Sequence, residues 1–497
     1  MGERANAEQP PAARALAFVA GGLAFVALVA TLGWVALTFG ARPLDGVEGD
    51  VLFEADRIRA GLPLYVDPAL GAHDYGPVPA RYHVLYPPLW PALLSLSSRE
   101  AAPAFARAIA ASSWWLLVAM IALKARASCR RPAMLASLFV GSVWVLGLYG
   151  SAGRPDALAV LFAGLALERT ARRSSAQTAP VLDPIAGLLF ALAAWTKPNV
   201  IGIAPGACIA AIVVLRTRKG DVARGLIAML GGGLVIGLVL GKLTSGAFLT
   251  HLFASTGQPP SLALWVEQTR DRAPFFAVLF VVAFVLGARN RRDPGVAIAL
   301  GALVSSVGWC FVSLAKTGSA SNYFLEPCVA ALVVIARAPM SFSPRAQVTV
   351  AALAALQASW TGAASVRSAI TNVGETERRA EALAAARTAC KQASDDLVIA
   401  DEPGLELMLD GRIVQTPYQS THLARAGRFP VAAWIADVTH PSVRCLVMQD
   451  DLLDRPLDVI DVEHDRFGPE LRRALRETFV KQFARDGIHV YERRPSR

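Results

Sequence analysis

From Ala15 to Phe39 the chain carries no charged side chain. A helix needs about 20 mostly apolar residues to cross the hydrocarbon of a bilayer. This run is too long for the apolar core of a cleaved signal peptide, so it reads as an anchor that stays. Further apolar runs begin near Ala104, Pro132, Asp156, Pro184, Val200, Gly225, Pro274, Gly295, Tyr323 and Ala346, which makes eleven candidate spans. The runs from Asp156 and Pro184 are the shortest and suit tilted or paired helices. Composition agrees: 54% of the residues are hydrophobic and 18% are charged, against roughly 45–50% and about 25% for soluble domains. A soluble enzyme, a disordered chain and a disulfide-rich secreted scaffold are excluded.

The connections between the runs alternate in charge. Those at 124–131, 169–175, 216–224, 288–293 and 337–345 carry 16 lysines and arginines; the short ones at 150–155, 196–199 and 315–322 carry three. Excess basic residues mark cytoplasmic loops. The N-terminus is therefore expected inside, with the long segment after the first span and everything beyond about Thr361 outside. The net charge of +10 is an orientation signal, and no nucleic-acid partner is expected. The six cysteines form no CxxC and no metal-ligand spacing. No motif requires a divalent metal, and no cofactor is predicted.

The expected architecture is an all-α polytopic membrane protein with a C-terminal extracytoplasmic α/β domain. The membrane domain covers 1–361, with outer loops at 41–103 and 244–272, and the C-terminal domain covers 362–497. In that domain DLVIA (396–400), RCLVM (444–448) and IHVYE (488–492) read as strands, and 471–487 reads as an amphipathic helix closed by Gly487. Cys390 and Cys445 both fall there, where either a disulfide or two buried thiols is compatible with the sequence. LALWVEQTRDR in the second loop reads as amphipathic.

The first outer loop is the most informative stretch. It opens with Glu48-Gly49-Asp50. Val51, Leu52, Ala55, Ile58 and Leu62 then recur at helical spacing, with Glu54, Asp56, Arg57 and Arg59 between them. That pattern predicts a helix lying at the interface and ended by Gly61 and Pro63. YHVLYPPLWPALLSL closes the loop. Tyr82, Tyr86 and Trp90 suit the headgroup level, and the consecutive prolines predict an extended turn. A carboxylate at Asp50, partly shielded from water, has the character of a general base for an acceptor hydroxyl.

Further polar residues collect at the outer ends of other spans. Arg154 and Asp156 start the fourth, Lys197 ends the fifth, and Lys316 ends the ninth; Asn322, Tyr323 and Glu326 open the tenth. Ionisable groups at membrane depth default to a functional reading. Against it stand snorkelling by Arg154 and Lys197, or a structural bridge from Arg154 to Asp156 or Glu326. Clustering at four helix ends favours one shared cavity, where cations suit a phosphate.

The ordered motifs Glu48-Gly49-Asp50, GLPLYVDP, YHVLYPPLWP, GRPDALAVLFAGLALE, AAWTKPN and SNYFLEP, followed by DEPGLELMLDGR, resemble the GT-C superfamily of membrane glycosyltransferases. The similarity is greatest to its protein O-mannosyltransferase and lipid A aminoarabinose transferase branches. The resemblance implies transfer of a sugar from a polyprenyl-phosphate-linked donor to an extracytoplasmic acceptor, with inversion. It implies that Asp50 is the first-loop catalytic acid and that Lys197 and Arg154 hold the donor phosphate. The family often places Asp and Glu side by side, whereas a glycine separates Glu48 from Asp50 here, so either is the base or Glu48 orients Asp50. Some branches carry a second loop acid; Glu267 and Asp271 are available. The absence of a Gly-rich nucleotide cradle agrees with a lipid-linked donor. The rival readings are a transporter or lipid flippase without glycosyl transfer, which calls for charged residues near mid-span and repeat symmetry, and a non-catalytic scaffold.

Overall fold

A computed structural model describes residues 10–39, 42–74, 76–128, 149–150, 152–176, 181–214, 220–256, 260–316, 320–338, 342–390, 396–459 and 466–495. In chain order the helices begin with α1 (Pro11–Thr38), α2 (Gly46–Arg59), α3 (Leu89–Leu94) and α4 (Ala102–Ser128). Next come α5 (Asp156–Ser175), α6 (Pro184–Thr196), α7 (Ile203–Ile209, continued by a wider turn at Ala210–Val214) and α8 (Gly220–Leu243). Then follow α9 (Ala247–Thr256), α10 (Leu262–Arg272), α11 (Ala277–Arg289), α12 (Pro294–Leu314), α13 (Leu325–Arg337) and α14 (Pro344–Cys390). The remainder runs β1 (Leu397–Ala400), α15 (Pro403–Asp410), α16 (Pro417–Arg425), α17 (Val431–Val438), β2 (Val443–Met448), α18 (Pro469–Thr478), β3 (Phe479–Arg485) and β4 (Ile488–Arg493).

Among the described residues four stretches are long and apolar enough to cross a membrane: Pro11–Leu37, Ala102–Ile121, Val222–Leu243 and Pro294–Leu314. Leu262–Phe275 and Ala277–Arg289, bent by 72°, make a fifth when taken together. Phe18, Phe25 and Leu37 on α1, and Ile227, Leu230, Leu234 and Leu238 on α8, are exposed. Apolar surface of that extent belongs in lipid, and the chain is an integral membrane protein of several apolar helices. The fifth expected span is the 13-residue α6, shorter than a full crossing. The third, from Pro132, lies outside the described residues.

Two compact units are formed: Met1–Ala36 with Arg107–Val235 and Pro260–Ile370, and Leu37–Ala106 with Ile236–Pro259 and Thr371–Arg497. The core of the first consists of small and branched residues such as Ala159, Ala163, Ala166, Leu303 and Val329. Small residues let helix backbones approach closely. At Gly206 on α7, an added Cβ would lie 2.1 Å from the carbonyl oxygen of Gly301 on α12.

The second unit is built on a four-stranded sheet in the order β1-β2-β4-β3, with β1 and β2 parallel and the other pairings antiparallel. Alternate residues point to opposite faces. Leu397, Ile399, Leu446 and Met448 pack with Trp434, Phe467, Leu471 and Leu475 from α17, α18 and the segment before α18. Val398, Ala400, Cys445 and Val447 pack with Leu405 and Leu409 of α15 and with Ala382 and Ala386 near the end of α14. Cys390 and Cys445 form a disulfide. The first outer loop joins this unit: Arg81 N donates to Val414 O at 2.7 Å, and Thr416 N donates to Arg81 O at 3.2 Å.

Several expectations are corrected. The helix expected over 471–487 stops at Thr478, and Phe479–Arg485 is a strand. Asp486 and Gly487 both have positive φ, 46° and 73°. Such a two-residue turn closes an antiparallel hairpin and pairs Arg485 with Ile488. The expected interfacial helix does form as α2, but Glu54, Asp56 and Arg57 are buried within the unit and do not form a solvated face. Tyr82 and Trp90 are likewise buried in protein. Behind Pro87 and Pro88 the chain enters α3 at once, with Pro88 as its N-cap; proline is tolerated at that end because no helical N–H is needed there.

Candidate active site

α2 is fixed at its start by a reciprocal cap. Glu48 N donates to Asp45 Oδ1 at 2.7 Å, and Asp45 N donates to Glu48 Oε2 at 3.2 Å. Arg42 Nη2 lies 3.4 Å from Glu48 Oε1. One oxygen of Glu48 therefore completes the capping box and the other faces Arg42. Asp50 follows on α2 and is buried, 4% exposed. The helix is held inside the unit by a close backbone approach. A Cβ on Gly49 would lie 2.3 Å from the nitrogen of Gly404 and 2.4 Å from its Cα. Tyr86 is half-buried.

One turn beyond Asp50 is Glu54, 1% exposed. Its Oε1 accepts from Leu85 N at 3.3 Å, while Oε2 is buried with no hydrogen-bond partner among the described residues. Burial raises its pKa well above the usual carboxylate range. Arg57, on the same helix, donates to both oxygens of Asp74 at 3.0 and 2.8 Å and to Pro63 O at 2.9 Å. Its guanidinium also stacks 5.1 Å from the Tyr82 ring. Asp56 pairs with Arg59 and, at 3.0 Å, with Arg99.

Two histidines accompany Glu54. His251 on α9 accepts from Val84 N at Nδ1, 2.9 Å, and its Nε2 lies 2.7 Å from Val66 O. These contacts set its tautomer, Nε2–H donating to the carbonyl. His83 is buried, and neither ring nitrogen has a hydrogen-bond partner among the described residues. Burial first, and the neighbouring His251 second, lower its pKa to about 3. In the sequence Glu54 stands only among the polar residues of the helix pattern, and neither histidine belongs to the candidate site residues. The available signals were the spacing of four between Asp50 and Glu54, which puts both on one helix face, and the position of His83 inside the YHVLYPPLWP motif.

In the first unit the structure joins most of the predicted polar residues. Lys197, which caps α6, forms a buried ion pair with Asp156 at the start of α5. Asn322 Nδ2 donates to the same Asp156 oxygen at 2.9 Å. Asn199 Nδ2 donates to Tyr323 OH at 2.7 Å, and Trp309 Nε1 donates to Asn199 O at 2.8 Å. Glu326, 4% exposed, accepts the N–H of Ile203 at 2.7 Å. Arg154 stacks its guanidinium 5.5 Å from the Tyr149 ring and acts on the charges of both Asp156 and Lys197. Lys316 is half-buried and within electrostatic reach of Lys197. Asp156 is thus bridged by Lys197 and also feels the charge of Arg154. Glu267 and Asp271 lie exposed on α10, Asp271 paired with Arg270 at 2.8 Å. Among the described residues no group of three or more His, Cys, Asp or Glu side chains is placed to hold a metal ion.

The described residues thus form a set of apolar membrane helices with a capped helix directly after the first span, and a small mixed sheet toward the C-terminus. The chain is similar to solved structures of ArnT from Cupriavidus metallidurans. With ArnT bound to undecaprenyl phosphate the TM-score is 0.58 at 12% identity, over 95% of this chain and 98% of the other. With ArnT in the apo state the TM-score is 0.57 at 13% identity, over 95% and 97%. At such identities the likeness is one of fold. No family model matches the sequence, and no curated protein does.

Proposed function

We propose that this protein is a membrane glycosyltransferase that moves a sugar from a polyprenyl-phosphate-linked donor to an acceptor on the extracytoplasmic side. The observation that carries this reading is the near full-length fold likeness to ArnT bound to undecaprenyl phosphate. It is supported by the polar network of the first unit, where Lys197, Arg154 and Lys316 outnumber the carboxylates Asp156 and Glu326. A net cationic, largely buried network suits a phosphate.

In this reading Asp50 is the general base and Lys197 and Arg154 hold the donor phosphate. Asn322, Tyr323, Glu326 and Lys316 shape the surrounding network. The capping duties of Glu48 favour Asp50 over it as base. The acceptor oxygen attacks the anomeric carbon as its proton passes to Asp50. The bond from the anomeric carbon to the phosphate oxygen breaks, and polyprenyl phosphate leaves with the electron pair. A developing oxocarbenium favours a carboxylate nearby, as in inverting glycosidases. The cations stabilise the growing phosphate charge in place. In this reading the N-terminus is cytoplasmic and the loop 41–103 and the domain 362–497 lie outside, as the charge asymmetry of the connections supports.

The test is direct. Purified protein in lipid nanodiscs is offered undecaprenyl phosphate and undecaprenyl-phosphate-linked sugars. Binding of the lipid, with release of undecaprenyl phosphate when an envelope glycolipid acceptor is added, is the expected result. A deletion strain should lack one sugar from its envelope glycans. No lipid binding and an unchanged glycan profile overturn the reading.

A further inference from the structure

Native proteins leave few buried polar atoms unpaired, and a linked group of them calls for an explanation such as a bound molecule. In the second unit four such atoms belong to side chains linked through shared neighbours, with Glu54 within electrostatic reach of Tyr65. They are Glu54 Oε2, Tyr65 OH and both ring nitrogens of His83, each without a hydrogen-bond partner among the described residues. The three side chains are 1%, 8% and 3% exposed. Their neighbours tie them together. Tyr65 and His83 flank the ring of His251, with centroids 5.6 and 6.0 Å away. Glu54 receives the N–H of Leu85, two residues after His83. His251 itself is spent on the backbone of Val84 and Val66 and serves as the frame.

We propose that Glu54, Tyr65 and His83 form a buried subsite that takes the hydroxyl groups of an uncharged sugar ring. The inference rests on the glycosyltransferase reading and adds the substrate class. Its argument is one of charge and valence. The neighbouring cation, Arg57, is committed to Asp74 and Pro63. Burial favours the carboxylic acid at Glu54, the phenol at Tyr65 and the neutral imidazole at His83. The cluster then offers O–H and N–H donors together with lone pairs, and no net charge. A phosphate or an ammonium there would lose its hydration without gaining a counter-charge. A sugar hydroxyl is both donor and acceptor and matches the set. The edge-on rings of Tyr65 and Phe248, 5.2 Å apart, supply an apolar flank for ring C–H groups.

The full chain in nanodiscs tests this with three probes: bare undecaprenyl phosphate, the same lipid carrying mannose, and the same lipid carrying aminoarabinose. The wild type should bind the mannosyl lipid about tenfold or more tighter than the bare lipid. Tyr65→Phe and Glu54→Gln should each remove about threefold to tenfold of that gain, with bare-lipid affinity held within about twofold. Preference for the aminoarabinosyl lipid, or a gain that survives both variants, overturns the proposal. So does a changed melting temperature with unchanged binding, which would mean an internal water. Loss of bare-lipid binding in the wild type would instead defeat the glycosyltransferase reading. Saturation-transfer NMR with free methyl mannoside then decides the subsite alone: a signal lost in Tyr65→Phe supports it, and no signal in the wild type overturns it.

Discussion

Lys197 and Asp156 form a buried ion pair between α6 and α5, and Asn322 donates a further hydrogen bond to the paired oxygen of Asp156. A lysine so held has a fixed ammonium, and in the proposed function it meets the donor phosphate without side-chain ordering at the time of binding. The same pair also stabilises the fold, because a buried charge stripped of its partner is destabilising by about 3–5 kcal/mol.

These two roles separate in a double variant. Lys197→Ala should lower the melting temperature and weaken undecaprenyl phosphate binding by about one to two decades. Lys197→Ala with Asp156→Asn removes both charges of the pair, so much of the thermal stability should return while lipid affinity does not. Calorimetry and lipid binding on the same preparations check this. Recovery of both in the double variant would make Lys197 a structural residue only.

Glu48 and Asp50 should separate in the same manner. Glu48→Gln weakens a cap, an effect of about 1 kcal/mol on stability, and should leave turnover within about tenfold. Asp50→Asn keeps shape and removes basicity. Turnover should fall by about two decades or more, with lipid binding little changed. Single-turnover rates on a lipid-phosphate sugar measure both. A dead Glu48→Gln beside an active Asp50→Asn would reverse the assignment.

Gly49 carries a purely steric prediction. Its Cβ position is occupied by the backbone of Gly404, which cannot swing aside as a side chain would. Gly49→Ala should therefore destabilise the second unit by about 1–3 kcal/mol and loosen α2 with it. Hydrogen exchange of the α2 amides reports the effect. Gly61→Ala is the control. No atom lies near its added Cβ, but φ there is +68°, so only the local turn pays strain.

Much of this arrangement was legible where the physics is local. The apolar spacing of Val51, Leu52, Ala55 and Ile58 is enough to place α2, and the β-branched runs around Val398 and Val447 are enough to place strands. The clustering of Lys197, Asp156, Asn322 and Tyr323 followed from their common position at helix ends. What escaped depends on partners far along the chain. The polar side of α2 looks solvated until Gly404 packs on Gly49. His83 is unremarkable until His251, which binds the N–H of Val84 167 residues away, is brought beside it. β3 was hidden because LRRALRETF continues a helical pattern into it; Asp486-Gly487, a strong hairpin turn, was the signal that outweighed it.

The disulfide between Cys390 and Cys445 joins the end of α14 to β2 across 55 residues of sequence. Closing a loop of that length restricts the unfolded chain and contributes about 4 kcal/mol in the chain-entropy account. Reduction, or Cys390→Ala with Cys445→Ala, should lower the melting temperature of the second unit. The first unit should melt as before. Calorimetric scans with and without reductant test this, and coincident shifts in every transition would argue against a local effect.

The buried histidines make stability depend on pH with a definite sign. His83 and His251 are pushed down to about 3 and about 4, in both cases chiefly by burial, from an unfolded value near 6.5. The fold holds them neutral, so their contribution is complete above about pH 6.5 and is lost as the pH falls from there toward their folded values. Each histidine adds a slope of up to about 1.4 kcal/mol per pH unit in that window. Glu54 and Asp401 act oppositely. Burial raises both, Asp401 to about 7, so the fold favours their protonated forms and they stabilise it as the pH falls. The net curve therefore mixes two signs, and the histidine part is read as a difference. Wild type minus His83→Phe, measured by chemical denaturation at steps from pH 7.5 to 4.5, should show a stability gap that shrinks steadily below pH 6.5. A gap independent of pH would mean that His83 takes up a proton in the folded protein, and the uncharged character assigned to its pocket would fall with it.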